Sequence, residues 1–221
     1  MRLPILLFLA TIACSSCLTT LYPFISNSPG EALPLKQELI GRWQWDSLTI
    51  TIEPFLSSRL RMQENNVDVI MSKKASKTKE QRLDSIYFTR QYIASYTRKG
   101  VTYVYKSVLT EIGGNWYMEF LPDNMSTADY DVEPDYYYYR HSFTLARLVL
   151  EEGRAQLHFL DGDYIKQQIL SGHMRIKHEH EPMFNIFVIS APTQELRSFI
   201  GKYGNDRRLY KSSNMISLIK K

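Results

Sequence analysis

Apolar and polar positions alternate with a period of two through much of the chain. Leu48, Ile50 and Ile52 alternate with Thr49, Thr51 and Glu53, just after Gly41-Arg42-Trp43-Gln44-Trp45. That pattern predicts strands with one buried face. Leu60, Met62, Val67, Val69 and Met71 continue it around Asn65-Asn66, which suggests a tight turn, until the polar stretch 72–84 interrupts it. The clearest unit lies between Ser85 and Pro122. It reads as Tyr87 to Tyr96, a turn at Arg98-Lys99-Gly100, Val101 to Ile112, a turn at Gly113-Gly114, and Asn115 to Leu121. This is a three-stranded antiparallel meander, with Gly-Gly the strongest hairpin signal in it. Val101, Tyr103 and Tyr105 share one face, as do Trp116, Met118 and Phe120. His141 to Leu150 is apolar on both faces and predicts a buried strand, which Glu151-Glu152-Gly153 returns into Ala155 to Leu160.

The period changes at Asp161. Asp161 or Asp163 can cap a helix running through Leu170, with Ile165 and Ile169 one turn apart. Phe184 to Ile189 is a short apolar strand. Pro192 opens a second helix in which Leu196, Phe199, Ile200 and Tyr203 fall on one face, with Gly204 as its stop. The expected fold is mainly β: an antiparallel barrel or strongly curled sheet over residues 39–221. Two short C-terminal helices would close one end or one edge. Residues 18–38, punctuated by Pro23, Pro29, Gly30 and Pro34, hold no period and read as a tether.

The N-terminus adds a location. Arg2 precedes an apolar run from Leu3 to Ile12, and Cys14-Ser15-Ser16-Cys17 follows. This is the layout of a secretory signal, too short to span a bilayer as a helix. A cysteine at the break resembles the lipobox of bacterial lipoproteins, in which that cysteine becomes the acylated N-terminus. Ser15-Ser16-Cys17 resembles the relaxed lipobox of Bacteroidetes-type bacteria, so Cys17 is the expected lipid site and Cys14 the alternative. The resemblance implies a signal peptide over 1–16, a lipidated tether over 17–38 and firm membrane anchoring. With no acidic residue beside the cysteine, it implies the outer membrane, facing the periplasm. Either choice leaves no internal disulfide, so the apolar core must hold the fold.

Removing residues 1–16 from 221 leaves 205, enough for one large domain with a sizeable core. Fifteen tyrosines suit a β-rich chain. The net charge of +4 is small and the basic residues form no continuous stripe, which argues against nucleic acid.

A second resemblance concerns the barrel. Gly41-Arg42-Trp43 matches the Gly-x-Trp of the first strand in the lipocalin-like, or calycin, barrels, where the Trp packs across the barrel bottom. A narrower likeness joins several segments: the cysteine, Leu21-Tyr22-Pro23-Phe24, Leu39 to Trp43, Gly113-Gly114 leading to Phe120-Leu121-Pro122, Leu160-Asp161, and Ile189 to Thr193 with Glu195-Leu196. Together they resemble a group of uncharacterised bacterial lipoproteins. That resemblance spans most of the mature chain and brings no activity. The polar loop 72–84 and the tyrosine run 136–139 depart from it.

Candidate chemistry is sparse. His178-Glu179-His180-Glu181 would put both histidines on one strand face, but no third metal ligand follows at a known spacing. No Gly-x-Ser-x-Gly and no phosphate-binding glycine loop occur. The acidic residues over 123–135 lack the ligand order of a calcium loop. His141 and His158 read as packing or surface residues. Trp43, Tyr103, Tyr105, Trp116 and Phe120 could face a barrel interior, as core or as the lining of a site for one small apolar ligand. The expectation is a membrane-anchored, non-catalytic binding or envelope-assembly domain without cofactor. Its alternatives are a carrier of a lipid or other apolar molecule inside the barrel and a metal-dependent hydrolase using His178 and His180.

Overall fold

Turn chemistry sets the register of the sheet. The computed structural model describes residues 18–25, 31–56, 89–122, 143–184 and 186–221. In it, Lys99 and Gly100 (φ 51° and 81°) and Gly113 and Gly114 (φ 58° and 77°) make two-residue turns with both centres left-handed. Such turns match the right-handed twist of paired strands. They join Gln91–Arg98 (β4), Val101–Ile112 (β5) and Asn115–Pro122 (β6). Before these come Gly41–Trp45 (β2) and Leu48–Pro54 (β3). After them come Phe143–Glu151 (β7), Arg154–Leu160 (β8) and Tyr210–Lys220 (β11). These eight strands, all antiparallel, close on themselves in the order β2-β3-β4-β5-β6-β7-β8-β11, with β11 returning to β2. Closure leaves the barrel no free edge.

The last strand is absent from the sequence reading. Its Lys211-Ser212-Ser213-Asn214 run hides the alternation, because the pairing with β8 skips there between Tyr210 and Met215. Beyond the irregularity, Leu218 is buried and Ile216 half-buried, both toward the interior.

Two cores result. The first fills the barrel, with Trp43, Ile52, Tyr92, Leu109, Met118 and Leu157 among its members. The second lies outside the wall. It packs Val108, Tyr117, Leu145 and Leu160 against Gly162–Leu170 (α1) and Thr193–Tyr203 (α2). Asp161 caps α1, its carboxylate accepting the Tyr164 N–H at 3.1 Å. Leu196, Phe199 and Ile200 of α2 are buried, as their spacing predicts. The helices therefore cover the side of the barrel rather than an end or an edge. This explains why β7 is apolar on both faces.

The expected tether is placed differently too. Thr19–Thr20 (β1) runs antiparallel to β7 and parallel to Ile186–Ile189 (β10), which pairs with His178–Glu181 (β9). Leu18, Phe24, Ile25 and Ala32 belong to the outer core. Segments 18–25 and 31–38 are thus part of the body: apolar side chains at these positions gain more by joining the wall than a spacer would by staying in water. Cys14, Cys17, the signal segment 1–16, the expected strands over 60–71, the loops 72–84 and 123–135, the tyrosine run 136–139 and His141 lie outside the described residues.

Candidate functional site

The barrel has two unlike ends. One is plugged. Residues 31–40 cross it, with Leu33, Leu35, Leu39 and Ile40 packed on the inner core. The Leu33 N–H donates to Leu109 O at 2.8 Å, and the Lys36 N–H donates to the Tyr92 hydroxyl at 2.7 Å. Trp43, 1% exposed, donates its indole N–H to Leu39 O at 2.8 Å. Lys220 reaches over the Trp43 ring at 5.4 Å and donates to Glu38 O. Trp116 also sits here, with the Lys36 ammonium 3.8 Å from its ring centre. That pair borders a groove of about 490 Å³ between residues 33–38 and Glu111.

At the other end the inner face is aromatic and half-buried. Pairing puts Tyr96 opposite Tyr103, Tyr105 opposite Pro122, and Phe120 opposite Ser107. Tyr96 stacks on Tyr103 with ring centres 5.0 Å apart and lies 6.4 Å from Tyr105. Phe120 meets Phe159 at 5.8 Å. All five rings keep part of their surface exposed, whereas Tyr92, Leu109 and Met118 deeper inside are sealed. Between the two zones, the Ser107 hydroxyl is buried without a hydrogen-bond partner. An orphan of this kind costs about 1–3 kcal/mol.

The five sequence candidates thus separate. Trp43 and Trp116 belong to the plug, while Tyr103, Tyr105 and Phe120 line the aromatic end. Tyr96 and Phe159 were missed. Both follow from counting register outward from the two-residue turns, since the turn at Lys99-Gly100 fixes Tyr96 opposite Tyr103.

A strongly perturbed carboxylate lies outside the barrel. Glu119, on the outer face of β6, is 4% exposed, and its carboxylate accepts the Phe24 N–H at 2.6 Å. Burial pushes its pKa up to about 8, against the lowering effect of the Phe24 and Ile25 N–H groups and of Arg197. Arg197 lies 3.8 Å from Glu31 and donates to the Thr110 hydroxyl at 3.2 Å. A raised carboxylate can mark an acid–base site. Here its partners are backbone amides of residues 24–25, and its role is to fasten that segment to the wall. The neighbouring cleft of about 610 Å³, between α2 and the β5–β6 turn, is lined by Glu31, Glu111 and Arg197 and by the hydroxyls of Thr193 and Ser198, which donate to Pro23 O and Gln194 O.

Tyr117 and Tyr210 both aim their hydroxyls at Gly204 O, at 3.4 and 2.8 Å. Burial raises both pKa values. A Cβ on Gly204 would fall inside contact distance of the Tyr117 hydroxyl, so this glycine is there for space, its φ of −61° being ordinary. His158 packs edge-on to Tyr210, and burial, with the Arg147 charge, lowers its pKa.

His178 and His180 share a face of β9, as the spacing predicts, and both rest on Phe187, with ring centres at 5.2 and 6.0 Å. The His178 Nδ1 lies 3.0 Å from Ile176 O. Among the described residues no group of three His, Cys, Asp or Glu side chains converges on a metal position. No described helix is long and apolar enough to cross a membrane. No protein-family model, curated protein or solved structure matches the chain.

Proposed function

We propose that this chain is a lipid-anchored, non-catalytic binding domain of the bacterial envelope that takes a small, flat apolar molecule at the aromatic end of its barrel. The observation that carries the binding part is the gradient along the inner face. Trp43 and Leu39 at the plug and Tyr92, Leu109 and Met118 in mid-barrel are sealed, and they give way to five partly exposed rings, Tyr96, Tyr103, Tyr105, Phe120 and Phe159, at the other end. Small-molecule sites are concave and mostly apolar, with a few polar groups for orientation. The tyrosine hydroxyls could fill that last part. The anchoring part is supported by the Cys17 lipobox resemblance, which implies the outer membrane, facing the periplasm. An envelope protein as partner is the other reading of the same surface.

Native mass spectrometry of protein purified from a bacterial membrane tests this. The expected result is a thioether lipid on Cys17 together with an apolar small molecule that is lost in a Tyr103→Ala/Tyr105→Ala variant. An empty barrel that also takes up no hydrophobic fluorophore, such as an anilinonaphthalene sulfonate, would remove the binding part. An N-terminus without lipid would remove the anchoring part.

A further inference from the structure

The N-terminal segment alternates between two states that a spacer would not show. Leu18 is 4% exposed, Thr20, Phe24 and Ile25 are each 0% exposed, yet Leu21 and Tyr22 between them are 52% and 50% exposed. The segment is held on both sides of the projecting pair. The Leu18 N–H donates to Leu160 O at 3.4 Å and the Leu21 N–H to Ile189 O at 3.2 Å. The Thr193 hydroxyl donates to Pro23 O, and Glu119 takes the Phe24 N–H. Leu21 and Tyr22 are therefore presented outward by a fixed backbone.

Basic side chains lie on the segment beside them, in an exposed row that ends in the carboxylate of Glu179, which accepts from the Ser190 hydroxyl. Ser190, next to the residue that accepts from Leu21, donates its N–H to Lys177 O at 3.1 Å. From residue 173 to 177 the chain alternates. His173, Arg175 and Lys177 are exposed, while Met174 and Ile176 are buried in the outer core. Glu195 is occupied with the Lys177 backbone N–H.

From these placements we infer that the face formed by Leu21, Tyr22, Arg175 and Lys177 rests on an anionic lipid bilayer. The inference builds on the anchored reading above. Cys17 is one peptide bond from Leu18, a reach of about 3.8 Å between Cα atoms. A lipid on Cys17 consequently leaves no slack, and the bilayer must meet the protein where Leu18 enters the core. An apolar residue beside a tyrosine suits the headgroup boundary, where Tyr is enriched. Basic side chains at the same level suit an anionic leaflet. The lipid, the two exposed side chains and the basic row then act as one docking surface, and the β7–β8 turn lies at the other end of β7 from its pairing with Thr19–Thr20.

The sequence holds only two cysteines, Cys14 and Cys17, so with lipid on Cys17 a Leu21→Cys variant carries a unique thiol. A polarity-sensitive fluorophore there, on full-length protein processed in a bacterial host, is read in phosphatidylethanolamine–phosphatidylglycerol vesicles. Glu152→Cys, in the exposed β7–β8 turn, is the comparison. The expected result is several-fold weaker quenching by aqueous iodide at position 21 than at position 152, with the difference reduced by Arg175→Glu/Lys177→Glu or by omitting phosphatidylglycerol. Intact mass of the same sample separates the possible failures. No lipid on the N-terminus overturns the anchored reading and this proposal with it. A lipidated protein whose two labels quench alike overturns the docking face alone. Equal protection at position 21 without any bilayer would assign the patch to a protein contact and overturn it as well.

Discussion

The two sides of the barrel wall differ in what covers them. On β2 and β3 the inner face is buried and the outer face meets water, with Arg42 and Thr49 exposed between Trp43 and Ile50. On β6 and β7 both faces are buried. Met118 and Ala146 face inward, and Tyr117 and Leu145 face outward under the helices and the N-terminal segment. The same antiparallel pairing thus serves a one-layer wall on one side and a two-layer one on the other. The difference is written in the sequence as strict alternation against an apolar run. Among the described residues the two helices and segment 18–25 gather on the two-layer side, while 31–40 plugs one end of the barrel.

The sharpest way to break this comparison is to cut one large side chain from each core. Trp43→Ala empties the barrel at its plug, and Phe24→Ala empties the outer layer. Both residues are essentially inaccessible, so each substitution should cost about 3–5 kcal/mol in urea unfolding. A Phe24→Ala cost below about 1 kcal/mol, in the range of surface changes, would mean that segment 18–25 is not part of the cooperative body.

How much of this was legible depended on local chemistry. The meander of β4, β5 and β6 was readable because its turns declare themselves through Lys99-Gly100 and Gly113-Gly114. The face of α2 was readable because Leu196, Phe199 and Ile200 keep the helical period. Strand β11 was not, since four polar residues sit at its irregularity and its inward pair, Ile216 and Leu218, is too short a signal. The N-terminal segment was not either. Pro23 and Pro34 look like loop punctuation, and the groups that fix the chain there, Glu119, Thr193 and Tyr92, lie far away in sequence. The inward rings at Tyr103, Tyr105 and Phe120 were legible as a shared face, but which barrel end each occupies depended on closure by the unread strand.

The carboxylate of Glu119 sharpens the comparison further, because it is buried on the two-layer side. Its pKa is raised to about 8 in the folded chain from an ordinary 4.5. The folded state therefore keeps a proton that the unfolded chain releases. Stability should be greatest below about pH 4.5 with respect to this group. It should fall as pH rises toward 8, by an amount on the order of 4 kcal/mol. Glu119→Gln keeps an acceptor for the amides of Phe24 and Ile25 and has no charge to lose, so its unfolding midpoint should be flat through that window. Parallel pH profiles for the two proteins would show that the group is not buried as described.

A smaller effect is expected at Gly204, where α2 meets the wall. The Tyr117 hydroxyl and Ile200 O leave no room for a Cβ, so Gly204→Ala must push the helix end off β6. Overpacking of this kind costs about 1–3 kcal/mol. Adding Tyr117→Phe removes the hydroxyl that is struck and should recover part of the loss. Purely additive effects in thermal unfolding would put the strain elsewhere.

The smallest expected change separates the two barrel ends. Tyr103 is half-buried and stacks on Tyr96, with planes 17° apart. A stack contributes about 0.5–1.5 kcal/mol beyond area, and part of this ring is already in water. Tyr103→Ala should therefore cost about 1 kcal/mol, well below the loss at Trp43 on the same inner face. A cost of about 3–5 kcal/mol, the range for a fully packed aromatic, would mean that the aromatic end is filled as tightly as the plugged one. It would then have no room for a ligand, and the two ends would differ in composition alone.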